Sequence, residues 1–423
     1  MRIYSCAENY KLYHWNMLDL LDVIEPNTIS SIVTDPPYEL NFMGKWWDNS
    51  WIAFQKETWE KCLKALKPWW YLLAFGGSRT YHRIACAIED AGFEIRDTIM
   101  WLYGSWFPKS LNIWLAIDKK NWVESEVVWE KETHDISKHK WSMMSFANTD
   151  KQETSTNTIQ IKKATNERAW WGTALKPSYE PIIVARKPLE WSCTDNVIKY
   201  WVGGINIDEC RVEAVDKEAL QKNWNRQQST SSNVVNYVAQ KDIDLREYKP
   251  DGRFPANTIL TYWDDDKEEV CGGFYNNEQR YYYTAKASKR DRDEWLEEFE
   301  EKWAKELLNR EENSDWASWN GKYSSWNAFA WSWAHKKNIH PTVKPTDLMQ
   351  YLVRLVTPNG WTVLDPFNWS GSTWKAVMYE NKDRNKNYKY IWIELTEEYL
   401  PIAKARIEYV IKKWWELREK TLF

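Results

Sequence analysis

The sequence predicts an α/β fold in which helices cover a largely parallel sheet. Short apolar strands alternate with amphipathic helices in two regions of the chain, 29–104 and 346–416. The strands carry apolar residues along most of their length, which is typical of a sheet that is buried on both faces. The chain of 423 residues is long enough for two or three domains with a sizeable core.

The predicted elements follow one another in a regular order. The β-branched run 29–34 predicts a buried strand, and Pro68 ends a helix over 51–66. A helix over 346–356 begins at Thr346, which can cap it. The remaining predicted strands are 71–77, 93–104, 180–188, 362–367 and 388–395, and the remaining helices are 79–92, 372–380 and 397–416.

Two stretches interrupt this alternation. Residues 120–170 are polar, as in KETHDISKHK, which predicts an inserted segment. Residues 193–335 mix short strands and turn signals with an acidic helix near 291–312, and we interpret them as a separate lobe.

The composition is that of an ordinary globular protein. Hydrophobic residues make up 43% and charged residues 28%, and the net charge is −4, so a wholly disordered chain is excluded. We find neither an apolar run long enough for a membrane span nor a signal-peptide core, and therefore expect a cytoplasmic protein without membrane contact. The 6 cysteines form no CxxC pair, so we expect no metal site.

The glycine and tryptophan contents are abnormal. The chain has 32 tryptophans and only 14 glycines, whereas a glycine content of about 7% would give ~30. Transferring ~16 residues from tryptophan to glycine would restore the usual glycine content.

The first motif that carries chemistry is Asp35-Pro36-Pro37-Tyr38, directly after the first strand. The carboxylate of Asp35 and the carbonyl of Pro36 can accept hydrogen bonds from an exocyclic base amine and stabilise the charge that develops when it attacks. Tyr38 offers a ring on which a base outside the duplex can stack. The structural alternative is a strand followed by a proline-rich turn.

The second motif is VLDPFNWSGST at 363–373, a strand followed by a small-residue turn and a helix start. Backbone N–H groups in such a turn can bind a carboxylate or a phosphate. Glu394 ends the next strand, 29 residues after Asp365, where an acid can hold ribose hydroxyls. The alternative is a plain βαβ unit with a tight turn.

The third motif is His340-Pro341-Thr342-Val343-Lys344-Pro345. Its prolines make the segment stiff enough to present a polar wall to a ligand. By itself, the motif favours the interpretation as a linker before an amphipathic helix.

Together these motifs resemble the amino-group DNA methyltransferases that use S-adenosylmethionine, in the permuted class where DPPY precedes the cofactor loop. The order DPPY, HPTVKP, LDPFxxSGST and IxIE carries the resemblance, as do GTALKPSYEPIIVARKPL, GGINIDECRV and YYYTAKASKRDRD. It covers about three quarters of the chain and is closest to bacterial or phage-type site-specific enzymes. A Rossmann-like sheet, mostly parallel with one antiparallel strand and an inserted target-recognition lobe, is the fold that this resemblance implies.

The resemblance implies a role for each matching position. The catalytic motif is Asp35, Pro36, Pro37 and Tyr38, and Glu394 is the ribose-binding acid. Asn16 stands where the family often has an Asp beside the cofactor adenine. The other implied cofactor residues are Thr342, Lys344, Asp365, Pro366, Phe367, Trp369, Ser370, Gly371, Ser372 and Thr373.

The resemblance also implies a division of the chain. We expect a catalytic half, a polar insertion, a returning strand, a target-recognition lobe and a cofactor-binding half at residues 1–119, 120–172, 173–192, 193–335 and 336–423. Double-stranded DNA is the implied partner, and a partner restriction endonuclease, or none, is left open. Lys286, Lys289, Arg290 and Arg292 follow three tyrosines and are candidate DNA contacts, although such charges usually belong to a solvated face.

The DPPY spelling favours transfer to adenine N6 over cytosine N4, whose enzymes more often begin the motif with Ser. A catalytically dead DNA-binding relative is a further alternative if the tryptophans are genuine. The reaction requires the loops after Val33 and Leu364 to lie side by side, so that donor and base can meet.

Tryptophan stands at several positions where the family has glycine. We hypothesise that UGA encodes glycine in this gene and has been translated as tryptophan. Trp369 is the sharpest case, because a large side chain there would fill space that the cofactor should occupy. The positions are Trp15, Trp69 or Trp70, Trp106, Trp201, Trp361, Trp369, Trp374 and Trp392, whereas Trp47 and Trp101 look authentic.

Overall fold

The computed structural model describes most of the chain outside the long polar stretches. The described residues are 2–7, 10–40, 46–103, 110–123, 126–134, 156–163, 171–175, 177–190, 192–200, 204–213, 252–262, 282–285, 287, 289–299, 302–303, 335–340 and 342–409. The chain forms two compact units. The main unit comprises 1–104, 178–300 and 337–423, and the smaller unit comprises 105–177 and 301–336.

The main unit contains a ten-stranded sheet. Its strands are β1 (Arg2–Ala7), β2 (Tyr10–His14), β3 (Ser31–Thr34), β4 (Tyr71–Phe75), β5 (Glu94–Leu102), β8 (Tyr179–Arg186), β11 (Thr258–Tyr262), β12 (Tyr282–Ala285), β15 (Thr362–Asp365) and β16 (Lys389–Glu394). They lie in the order β1-β2-β16-β15-β3-β4-β8-β5-β11-β12. A short antiparallel pair, β9 (Val212–Glu213) with β10 (Gly252–Arg253), lies outside this sheet.

The predicted α/β class with a mostly parallel sheet is confirmed. Strand β8 runs antiparallel to both of its neighbours, β4 and β5. A second antiparallel strand, which the sequence did not predict, is β1, because it forms a hairpin with β2 at the edge of the sheet. Strands β3 and β4 are buried along their whole length, as expected where helices cover both faces of a sheet.

Helices follow the strands as the alternating pattern predicts. In the main unit they are α1 (Met17–Val23), α2 (Lys56–Ala65), α3 (Tyr81–Asp90), α5 (Cys193–Tyr200), α6 (Lys289–Asp293), α7 (Thr346–Val356), α8 (Ser372–Asp383) and α9 (400–409). Short 3₁₀ turns occupy Trp46–Asn49, Ile52–Phe54, Asp208–Cys210 and Glu397–Tyr399. Helices α7 and α8 pack against each other, and the buried ion pair between Arg354 and Glu380 (2.6 Å) joins them.

The smaller unit is described only in part. It contains helix α4 (Ile113–Lys120) and two antiparallel strand pairs. The first pair is β6 (Glu126–His134) with β7 (Thr156–Lys163), and the second is β13 (Lys302–Trp303) with β14 (His335–Lys336).

The structure differs from the sequence prediction in the segment 193–335. The acidic helix expected near 291–312 is wrong over 294–299, because α6 ends at Asp293 and Trp295 has a left-handed backbone with φ of 67°. Strands β11 and β12 also come from this segment and extend the main sheet. The division of the chain by function remains a prediction.

Candidate functional site at the ends of two adjacent strands

The site is built where two neighbouring parallel strands end. Strands β3 and β15 pair in register, with Val363 opposite Ser31 and Leu364 opposite Ile32. The loops that follow therefore leave the sheet side by side, as the sequence analysis requires. The Thr34 hydroxyl donates a hydrogen bond to Oδ1 of Asp365 (2.7 Å) and joins the two strand ends directly.

Asp35 is the first residue after β3, and its carboxylate is paired on one side only. Lys344 Nζ donates a hydrogen bond to Oδ2 (2.6 Å), and both side chains are largely buried. Oδ1 is buried and accepts no hydrogen bond from the described residues. Burial raises the pKa of Asp35, and the Lys344 ammonium opposes this rise. The structure thus places a buried acceptor atom at the strand end.

Tyr38 is anchored by a residue that the sequence analysis did not single out. Its hydroxyl donates a hydrogen bond to Oε2 of Glu180 (2.8 Å), and the Lys344 ammonium lies 3.6 Å from the same oxygen. Glu180 lies within the quoted run SYEPIIVARKPL, near the start of β8. The signal that could have identified it is the antiparallel direction of β8, since this brings the start of the strand to the edge where β3 ends.

The Asp365 carboxylate accepts hydrogen bonds from the loop that follows it. Its Oδ1 accepts a hydrogen bond from the Phe367 amide (3.1 Å), and its Oδ2 accepts bonds from the hydroxyls of Thr373 (2.6 Å) and Tyr390 (3.3 Å). Burial raises the pKa of Asp365 to about 6, although these hydrogen bonds lower it. Its carboxylate therefore holds the turn between β15 and α8 in shape.

A cavity of about 250 Å³ lies between the loops and brings together residues from the three predicted motifs. Buried polar atoms without a hydrogen-bond partner among the described residues include Oδ1 of Asn368 and both ring nitrogens of His340. Burial and nearby cations hold the pKa of His340 well below its ordinary value, so the ring is neutral. The lining residues are Asp35, His340, Thr342, Lys344, Met349, Asp365, Phe367, Asn368, Trp369, Ser370, Ser372 and Thr373.

The predicted residues Asn16 and Glu394 are absent from that lining. Asn16 caps α1 by accepting a hydrogen bond from the Leu18 amide (2.9 Å). Glu394 ends β16 and is 3% exposed, and its carboxylate accepts a hydrogen bond from the Thr396 amide (2.7 Å). Burial raises the pKa of Glu394 to about 8. Their roles toward a cofactor remain predictions.

The indole of Trp369 occupies the space between the two loops. Its ring centroid lies 4.8 Å from that of Trp47, 5.3 Å from that of His340 and 6.2 Å from that of Tyr399. Its Nε1 donates a hydrogen bond to the Asp35 carbonyl (2.6 Å). The backbone is left-handed, with φ of 50°, a conformation that bulky residues rarely adopt.

The candidate DNA contacts divide into three cases. Lys286 lies outside the described residues, and Lys289 and Arg290 lie in α6 with side chains that are also outside them. The prediction for Arg292 is corrected, because its side chain is buried and donates a hydrogen bond to the His340 carbonyl (2.8 Å). A guanidinium held in this way supports the HPTVKP segment and is not presented to a phosphate.

The described part of the chain contains neither a metal-binding cluster nor a membrane-spanning helix. Among the described residues, no cluster of three or more His, Cys, Asp or Glu side chains is arranged to hold a metal ion. No helix within the same residues has the length and apolar character needed to cross a membrane.

The fold and site define an α/β protein whose candidate site lies at the carboxyl edge of a parallel sheet, where proteins of this class usually bind their ligands. A family model described as DNA methylase, for N6 and N4 amino-methyltransferases, matches residues 29–405, and the chain belongs to this family. Membership indicates S-adenosylmethionine as the cofactor.

Individual proteins show more local or weaker similarity. The type II methyltransferase M2.DpnII of Streptococcus pneumoniae is 38% identical over 76 residues, which is 18% of this chain and 25% of that protein. The PvuII cytosine-N4-specific DNA methyltransferase is 14% identical over 95% of this chain and 86% of its own, with a TM-score of 0.42. The complex of M1.HpyAVI with SAM is 15% identical over 94% and 99%, with a TM-score of 0.36. The family assignment rests on the family model alone.

Replacing Glu394 with Gln should reduce the pH dependence of stability. The folded protein holds a proton on Glu394 up to about pH 8, whereas an unfolded chain releases it near pH ~4.3. The free energy of unfolding therefore falls as the pH rises between these values. Urea denaturation at pH ~5 and ~8 should show a smaller loss for Glu394→Gln than for the parent. An equal loss in both proteins contradicts the assignment.

Proposed function

We propose that this protein is a site-specific DNA methyltransferase that transfers a methyl group from S-adenosylmethionine to N6 of an adenine turned out of the duplex. The observation that carries the proposal is the buried Oδ1 of Asp35, which has no hydrogen-bond partner among the described residues and lies one strand away from the loop after Asp365. It supplies an acceptor for an amine beside a cavity with unpaired polar atoms. Family membership supports the reaction class.

The donor set of the cavity fits a polar cofactor, but the indole of Trp369 restricts its volume. Asn368, His340 and the turn at Ser370–Thr373 would hold the cofactor. A contact of Glu394 with its ribose is implied by the family resemblance alone. Trp369 is itself one of the residues that line this cavity, so its indole takes up space at the wall. Without the side chain at position 369, the cavity would extend as far as Trp47 and Tyr399.

The chain's own residues would orient the amine and stabilise its developing charge. S-adenosylmethionine, when bound, supplies a methyl group activated by its sulfonium. Asp35 accepts a hydrogen bond from the amine through Oδ1 and takes the proton that the nitrogen loses on methylation. Lys344 pairs with Oδ2, and its ammonium opposes the rise in the pKa of Asp35 that burial causes. Tyr38 supplies the stacking face.

Three finer points belong to the proposal. Adenine is favoured over cytosine by the DPPY spelling, and mass analysis of the nucleosides of methylated DNA distinguishes N6-methyladenine from N4-methylcytosine. A cytoplasmic location and a role in restriction-modification are further expectations. A DNA-binding protein without methylation activity is the alternative if position 369 is tryptophan in nature.

Replacing Trp369 with Gly should create measurable affinity for S-adenosylmethionine. The change removes the indole from between the loops and places at φ of 50° the residue that tolerates this backbone. Calorimetric titration of both proteins measures the difference, with at least tenfold tighter binding expected for Trp369→Gly. Trp59→Gly, in the buried part of α2 away from the cavity, is the control and should not bind better than the parent. No gain from Trp369→Gly would mean that the indole does not block the site.

In the Trp369→Gly background, Asp35→Ala should abolish methylation and leave cofactor binding largely intact. The reason is that Asp35 contacts the amine, whereas the loop after β15 holds the cofactor. Transfer of tritiated methyl groups to DNA measures the first property, and calorimetry measures the second. Retained turnover would refute the role of Asp35, and lost binding would place it in the cofactor site.

A further inference from the structure

Glu180 is a buried carboxylate at the edge of the sheet where β3 ends. Only strand β8 brings it there, because β8 runs opposite to β4 and β5. Within β8, Glu180 pairs with Trp101 of β5, and its side chain is 12% exposed. Resting on the proposed function, we propose that Glu180 is a positioning residue that orients Tyr38 and Lys344 toward the target base.

The first contact fixes the ring on which the base would stack. Oε2 of Glu180 accepts the hydroxyl hydrogen of Tyr38 at 2.8 Å, and Oε1 lies 3.5 Å from the hydroxyl of Tyr103. A phenol anchored at its far end cannot swing about its side-chain bonds without losing a buried hydrogen bond. Glu180 therefore fixes the direction in which the Tyr38 side chain points.

The second contact fixes the cation that pairs with Asp35. Lys344 Nζ lies 2.6 Å from Asp35 Oδ2 and 3.6 Å from Glu180 Oε2. The same ammonium lies 5.3 Å from the ring centroid of Tyr38 and 5.0 Å from that of Phe75. With two carboxylates and two rings around it, the Lys344 ammonium is held where it pairs with Oδ2 and leaves Oδ1 of Asp35 without a partner among the described residues.

The charge balance gives this arrangement a measurable signature. One ammonium faces two carboxylates, and burial together with the charge of Glu180 raises the pKa of Asp35 against the effect of Lys344. Glu180→Gln removes that charge but retains an acceptor for Tyr38. The pKa of Asp35 should then fall, so the acid limb of the pH–rate profile should move to lower pH. A residue that only supports the fold would not move this limb.

The test compares Glu180→Ala with Glu180→Gln in the full chain carrying Trp369→Gly. Because a small misplacement of reacting groups can cost about 10²-fold, Glu180→Ala should lower kcat/KM for DNA by about 10²-fold with unchanged cofactor affinity. Glu180→Gln should recover most of this loss with its acid limb shifted. Glu60→Ala, at an exposed ion pair on α2, is the matched control and should match the parent.

The outcomes separate this inference from the proposed function. If the parent of this test, the chain carrying Trp369→Gly alone, methylates no DNA, the proposed function is overturned. An active parent whose Glu180→Ala variant is equally active, or whose Glu180→Gln variant keeps the parent's acid limb, overturns the role of Glu180.

A second inference rests on the backbone alone. Among the described residues, eight non-glycine positions have positive φ, and five of them are Trp51, Trp69, Trp122, Trp295 and Trp369. Chirality makes this conformation unfavourable for any residue with a Cβ atom, and glycine adopts it freely. We infer that the natural residue at these five positions is glycine. Three of them, 51, 122 and 295, carry no signal in the family motifs.

The hydrogen bonds of buried indoles give a separate contrast, which does not include Trp369, because its Nε1 donates to the Asp35 carbonyl. The N–H groups of Trp69, Trp70, Trp374 and Trp392 are buried and donate no hydrogen bond within the described residues. By contrast, Trp59 donates to the Ala53 carbonyl (2.9 Å) and Trp101 to the Thr261 hydroxyl (2.7 Å). Neither of these two has positive φ, and both are expected to be genuine tryptophans.

The codons of the gene and the protein from its natural host test this second inference. We expect UGA at the five left-handed positions and UGG at positions 59 and 101. Peptide mass spectrometry should then find glycine at the five positions and tryptophan at the two controls. UGG codons, or tryptophan in the natural peptides, at the left-handed positions would overturn the inference.

Discussion

The site depends on the parallel pairing of β3 with β15. Parallel neighbours end at the same edge of a sheet, so this pairing alone puts the loop of Asp35 beside the loop of Asp365. The hydrogen bond from Thr34 to Asp365 then locks the two ends together in a buried setting. Because 331 residues separate these partners, the whole intervening chain has to fold back before the site exists.

A buried cluster of three charged side chains, Asp35, Glu180 and Lys344, lies next to the paired strand ends. Asp35 and Glu180 share the Lys344 ammonium, and Lys344 also lines the pocket together with the predicted cofactor loop. Ionised groups are costly to bury unless they are paired. Oδ1 of Asp35, which remains without a partner among the described residues, is then the atom available to a substrate.

At Trp369, the residue type conflicts with the backbone conformation that the surrounding fold imposes. The strands, helices and ion pairs around it agree on one fold, yet a bulky residue is held in a left-handed turn and its indole fills the central cavity. Conflicts of this kind usually mark a functional position or a sequence that does not suit its backbone. Glycine at this position would remove both the backbone strain and the obstruction.

The sequence by itself determined the α/β class, most strand positions and the motifs around Asp35 and Asp365, because these depend on local periodicity and on residue types that are close in the chain. By contrast, the folded chain was needed to show that Glu180 joins the site, that Lys344 pairs with Asp35 and that Arg292 is buried. Each of these depends on strand direction or on contacts between residues far apart in the chain, and neither leaves a periodic signal in the sequence.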